Sequence, residues 1–299
     1  MNRDGLLAYV GRLVGVRKMD YTWRDHALYA LAVGANEKEL EYTYEKEMKP
    51  LPTFMSAAYW NGQFQVTPQR PAPYSPYTEI LAYSERDLGK WPGGTHMEHE
   101  LEVIRPFDPI KGSFILKDKI RGIYDRGEGK GVMVGTETEV YDEAGRLLAI
   151  NRGGHLLSAY GGFGGEKIPK QDVQIPDDRE PDYVIEDYIT PTQNLLYRLT
   201  SDTLPAHVDQ EYAESRGWKA PIMQGLCNQG FAARMLIGAL CKGQPERLKR
   251  IYVQFRSFCY IGTKIKLAAW KDGEGRVVFR MLDAENGTKI LDKGIFEYR

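Results

Sequence analysis

The feature that most constrains this chain is a pattern that occurs twice. A helix followed by an antiparallel meander appears once in the first half of the 299 residues and again in the second. In the first pass a helix over 22–34 precedes strands at 101–107, 112–124, 131–141 and 147–160. Asp108-Pro109, Arg126-Gly127-Glu128-Gly129 and Asp142-Glu143-Ala144-Gly145 supply the turns. In the second pass a helix over 225–240 precedes strands at 249–260, 263–271, 276–284 and 288–298. There the turns are Asp272-Gly273-Glu274-Gly275 and Glu285-Asn286-Gly287. A single half sheet of this size cannot easily hide its apolar face, so the two units are expected to pair. The fold class is therefore α+β. The expected organisation is a first repeat over 1–165 that supplies the substrate pocket, a linker over 166–190 and a second repeat over 191–299. The linker reading rests on polar, proline-bearing sequence without a sustained period.

Local signals refine this outline. Residues 5–15 read as a short amphipathic helix. Thr22 is placed to cap the next helix, with Asp25 at the capping-box position and Gly34 at its end. The tract 61–94 is rich in proline and aromatic residues, and Pro68, Pro71, Pro73 and Pro76 argue against a regular helix there. It either lines an apolar pocket or forms an ordered surface excursion. Gly161-Gly162-Phe163-Gly164-Gly165 lacks the Gly-Lys-Ser/Thr ending of a phosphate-binding loop.

Composition narrows the function classes. With 42% hydrophobic and 27% charged residues the chain has ample material for a core. The net charge of −1 offers no broad basic surface for nucleic acid. Cys227, Cys241 and Cys259 are odd in number and far apart, which suits reduced thiols in an intracellular protein. No stretch reaches the length of a membrane span, and the first residues do not follow the design of a signal peptide. A cytoplasmic location is expected. The final Phe296-Glu297-Tyr298-Arg299 is not an SKL-type peroxisomal address.

The chemistry concentrates between Tyr197 and Phe231, which read YRLTSDTLPAHVDQEYAESRGWKAPIMQGLCNQGF. Asp202 and His207 flank Pro205, so a carboxylate and an imidazole can converge across a stiffened turn, as paired acid/base work requires. A helix beginning after Pro221 carries Gln224 and Gly225 at its start. Its unpaired N–H groups and positive dipole end suit an oxyanion or a thioester carbonyl. The residues alone also permit a plain structural loop, with Asp202 as a cap and His207 as a satisfied ring. Upstream, His96, Glu98 and His99 do not have the helical H-E-x-x-H spacing of a zinc site, which argues against a metal.

The order of these pieces resembles the MaoC-like, hydratase 2 family of (R)-specific enoyl-CoA hydratases, which includes the hydratase part of peroxisomal multifunctional enzyme type 2. That family carries YRLSGDxNPLHID and, after a spacer of matching length, KPILHGLCTFGF. Tyr197, Arg198, Leu199, Asp202, Pro205, His207 and Asp209 match the first phrase. Ala220-Pro221-Ile222-Met223-Gln224-Gly225-Leu226-Cys227 and Gly230-Phe231 correspond to the second. The opening YTxxDxxLYALGVGA, the phrase Leu51-Pro52-Thr53-Phe54, the HGE near His96 and Glu98, and the GGFGG turn agree as well. The resemblance implies a double hot-dog fold, with a sheet wrapped around a central helix in each repeat. It implies Asp202 and His207 as the acid/base pair that adds or removes water, and the Gly225 N–H as donor to the thioester oxygen. Tyr197, Leu204, Asp209, Gln224, His96 and Glu98 fall at substrate-side or supporting positions. The chemistry asks for no metal or organic cofactor. A homodimer is expected, and the partner is a small-molecule acyl thioester rather than a nucleic acid or a membrane.

Five departures qualify the resemblance. Leu204 replaces the family Asn, Ser201 the Gly before the Asp, Gln224 the His before Gly225, and Asn228-Gln229 Thr-Phe, and the later family phrase RFxxPVYPG reads Gln254-Phe255-Arg256-Ser257-Phe258-Cys259-Tyr260-Ile261-Gly262. Losing the Asn removes a group that can donate and accept hydrogen bonds beside the pair. A hydratase/dehydratase of a bulky or unusual acyl thioester follows from the retained residues. The departures leave open a lyase or isomerase acting on a non-CoA substrate, and a non-catalytic acyl-binding partner subunit.

Overall fold

The structure is a computed structural model that describes residues 3–60, 75–169 and 171–299. The first repeat runs α1 (Arg3–Leu7), β1 (Leu13–Thr22), α2 (Trp23–Ala32), α3 (Phe54–Trp60), α4 (Pro76–Leu88), β2 (Gly94–Val103), β3 (Lys111–Asp125), β4 (Val132–Tyr141) and β5 (Leu147–Leu157). The second runs β6 (Tyr183–Tyr188), α5 (Gln193–Arg198), α6 (Gln210–Ser215), α7 (Gly225–Leu240), β7 (Leu248–Phe255), β8 (Lys264–Lys271), β9 (Arg276–Asp283) and β10 (Lys289–Tyr298).

The ten strands among the described residues join one sheet in the order β1-β3-β4-β5-β2-β7-β10-β9-β8-β6. Read inward from each edge, the halves follow the same path: first strand, third, fourth, fifth, second. They meet where β2 pairs antiparallel with β7, from Glu98 opposite Gln254 to Glu102 opposite Arg250. One face of this seam is charged. Glu100 takes Arg152 at 2.5 Å and Arg250 at 2.7 Å. Burial opposes the Glu100 charge, but the two guanidiniums outweigh it and hold the carboxyl below its usual range.

The other face grips the helices. α7 is buried on nearly all sides, as a central helix must be. Gly230 lets α2 approach it closely: a methyl group there would meet Val33 Cγ1 at 2.4 Å. In the first repeat the fully buried helix is α3, whose sequence FMSAAYW carries no charge. Its C-terminal carbonyls need partners. Arg17 on β1 supplies them, donating to the Ala58 and Tyr59 oxygens at 3.1 and 3.2 Å while Asp118 balances its charge at 2.6 Å.

Several expectations change. The helix expected over 5–15 stops at Leu7; Gly11 turns the chain at φ 78°, and the strand β1 starts at Leu13. The sheet of the first half grips α3, while the helix over Trp23–Ala32 packs against α3 and α5. Pro76 opens α4 at its first turn, where a missing N–H costs nothing. Pro68, Pro71 and Pro73 lie outside the described residues. Within the expected linker, Tyr183–Tyr188 forms edge strand β6 on β8. No helix among the described residues is long and apolar enough to cross a membrane.

Candidate active site

Asp202 and His207 converge because the chain between them is short and stiff. α5 ends at Arg198, and Ser201 ties the following loop to the first repeat by donating to the Ala57 carbonyl at 2.9 Å. Pro205 begins a single 3-10 turn that carries His207. His207 Nε2 then lies 3.2 Å from Asp202 Oδ2. The Leu204 N–H donates to Asp202 Oδ1 at 3.0 Å, and Asn194 Nδ2 donates to the His207 carbonyl at 2.7 Å. Each residue of the pair is 7% exposed, so the pair is shielded but reachable.

The imidazole has a defined orientation. His207 Nδ1 is 2.8 Å from the Ile222 carbonyl, which can only accept, so Nδ1 carries a proton. A neutral ring would then turn its Nε2 lone pair toward a carboxylate oxygen. One proton between Nε2 and Oδ2 resolves that conflict, leaving an imidazolium–carboxylate pair. Burial disfavours this charge, but attraction to Asp202 and the hydrogen bonds to Asp202 and Ile222 prevail, and the His207 pKa is raised.

Gly225 opens the sixteen-residue α7, and its N–H has no acceptor among the described residues. It faces a cavity of about 390 Å³ lined also by Asp202, His207, Tyr197, Leu204, Gln224 and His96. The cavity extends into the first repeat, where Trp60, Tyr77, Leu81 and Trp91 make an apolar wall. A buried pair able to give and take a proton, beside a free amide at a helix N-terminus and an apolar chamber, suits a reaction that builds negative charge on a carbonyl oxygen.

The chain is similar to known proteins along most of its length. Residues 172–293 match the MaoC like domain, and residues 19–158 match the MFE-2 hydratase 2 N-terminal domain. The Arabidopsis thaliana protein named enoyl-CoA hydratase 2, peroxisomal, is 32% identical over 97% of this chain and 93% of its own length. The chain belongs to the MaoC-like, hydratase 2 family. A solved MaoC-like dehydratase from Phytophthora capsici superposes with a TM-score of 0.84 at 32% identity, covering 100% of this chain and 99% of its own. A Mycobacterium tuberculosis protein described as a double hotdog fold aligns over 94% of this chain and 96% of its own, at 13% identity and a TM-score of 0.50, a likeness of fold alone.

Within this MaoC-like frame, Asp202, His207, Gly225, Tyr197, Leu204, Gln224 and His96 reach one cavity. Two residues expected on the substrate side do not line it. Glu98 follows a register shift in β2, packs over Gly154 and accepts from Tyr252 Oη at 2.6 Å. Asp209 caps α6, accepting from the Tyr212 N–H at 3.0 Å. Conversely, His155 and Phe255 line the cavity without any advance signal, since each sits singly in an ordinary strand pattern. Asn194, whose side-chain amide holds the His207 backbone, and Ile222, whose carbonyl holds the imidazole, make contacts that a motif does not announce. Among the described residues, no group of three or more His, Cys, Asp and Glu is arranged to hold a metal ion.

Proposed function

We propose that this chain is a hydro-lyase that adds water to, or removes it from, the α,β-double bond of an enoyl thioester, with Asp202 and His207 as the acid/base pair. The observation that carries the reading is the 2.8 Å contact between His207 Nδ1 and the Ile222 carbonyl. It leaves the pair with one proton to give and one site to receive, as hydration needs. The thioester oxygen rests on the Gly225 N–H. Asp202 takes a proton from the attacking water as its oxygen bonds to the β-carbon. The π electrons move to the α-carbon, with negative charge shared by the thioester oxygen, and His207 delivers its Nε2 proton to the α-carbon. The proton on Asp202 then crosses to His207 and restores the pair. Dehydration runs the same steps backward. The name of the Arabidopsis relative, enoyl-CoA hydratase 2, supports CoA as the thiol.

A bulky acyl group fits the interior. The cavity reaches from the acid/base pair to α3 at Trp60 and on to Tyr77, Leu81 and Trp91. Leu204, 37% exposed, sets an apolar side chain beside the pair.

The test is a mass-shift assay with short, long and polycyclic enoyl-CoAs, run beside His207→Ala. A gain of one water that is absent in the variant supports the reading. No water gained or lost with any enoyl or 3-hydroxyacyl thioester sinks it.

A further inference from the structure

The wall of the cavity in the first repeat is polar in one place. His96 on β2 and His155 on β5 are register partners, and their rings stack with centroids 4.2 Å apart and planes 15° from parallel. Tyr77 stacks on His155 at 4.3 Å and 11°. Both imidazoles line the cavity that holds the acid/base pair.

The hydrogen bonds behind them set a tautomer. Thr136 Oγ1 donates to the Gly153 carbonyl at 3.2 Å, so its single proton is used. Tyr59 Oη, 2.7 Å away, must therefore donate to Thr136 and accept from His155 Nε2, also at 2.7 Å. His155 Nδ1 is left as a bare lone pair, and no described residue donates to it. His96 Nε2 likewise has no partner among the described residues. Buried polar atoms are rarely left in this state, because each forfeits its hydration without return. Burial and the neighbouring imidazoles hold both rings well below the usual histidine range, so the wall is neutral as well as polar.

We infer that this wall is a subsite for a hydroxyl group carried on the acyl chain, which donates to His155 Nδ1 and lies beside His96 Nε2. The inference rests on the acyl-thioester reading of the same cavity. Phe255 links the two ends: its ring packs against Gly225 and lies 4.9 Å from the His96 ring. The hydroxyl therefore belongs several carbons beyond the thioester, past one phenyl ring. A plain hydrocarbon chain would cover both nitrogens and satisfy neither.

The experiment is calorimetric titration of saturated medium-chain acyl-CoAs, unsubstituted or bearing one hydroxyl at successive carbons, into wild type, His96→Phe and His155→Phe. Wild type should bind one positional isomer about tenfold or more tightly than the unsubstituted chain. Either variant should abolish that ratio. If His155→Phe does not fold by circular dichroism, His96→Phe alone decides. Equal affinities across the series in wild type, or a ratio that survives the variants, overturns the subsite while leaving the hydratase reading intact. Failure of every acyl-CoA to bind overturns both. Because binding of saturated chains needs no turnover, the subsite is tested apart from catalysis.

Discussion

Phe255 packs so closely on Gly225 that a methyl group at the glycine would stand 3.1 Å from the ring. The residue proposed to offer its N–H to the thioester is thus fixed by a neighbour from the adjoining strand. Gly225→Ala should push that amide off its position and lower kcat/KM for enoyl-CoA hydration by about tenfold to a hundredfold. Adding Phe255→Leu should recover part of the loss. Steady-state kinetics of the single and double variants checks this, and an undiminished rate in Gly225→Ala would show that the amide plays no part.

Removing either member of the pair should cost more. Asp202→Ala and His207→Ala are each expected to lower turnover by a factor of about 10² to 10⁴. The two losses should not add, since neither group works without the other. Circular dichroism must show both variants folded.

The raised pKa of His207 has a signed consequence. A histidine whose folded pKa exceeds its unfolded value, about 6.5, stabilises the fold fully below that pH. The contribution disappears as pH rises through the folded value. Hydration should fail over that same window above about 6.5, as the imidazolium proposed to protonate the α-carbon is lost. His207→Ala should remove this fall from a plot of melting temperature against pH.

His26 works in the opposite direction. It is fully buried, its Nε2 accepts from the Leu51 N–H at 2.9 Å, and burial lowers its pKa to about 3. Its neutral form is the one the fold requires. Stability should therefore fall as pH drops from about 6.5 toward that value, with a total on the order of 5 kcal/mol. Urea denaturation across this range should show a shallower acid slope in His26→Gln.

The Arg17–Asp118 pair is buried, with Thr138 donating to Asp118 at 2.6 Å. Arg17→Leu strands a carboxylate and two helix-end carbonyls, and should cost about 3–5 kcal/mol in denaturant melts. Arg17→Leu with Asp118→Leu should be the milder change, because no uncompensated charge remains.

The parts of the fold that were legible in the sequence share a cause. Strands β8, β9 and β10 are short apolar-rich runs separated by glycine-bearing turns, and helix α7 is long enough for its apolar content to register. Helix α3 was not legible, because a segment buried on every side has no polar face to give it a period. At the site, Asp202, His207 and Gly225, which the motif order singles out, line one cavity. Glu98 and Asp209 do not line it, because proximity in a phrase does not fix direction: a register shift turns one away and a cap occupies the other. The stacked His96 and His155 come from different strands, so no local spacing relates them.

The shared strand path of the two halves has a genetic consequence. A symmetric dimer of separate repeats would receive every substitution twice, once in each chamber. Here the halves are encoded once each and joined across β2 and β7. A substitution in α3 can reshape the first half while α7, at the start of which Gly225 sits, is untouched. Covalent fusion thus frees the half that carries Trp60 to vary without altering the half that carries Asp202 and His207.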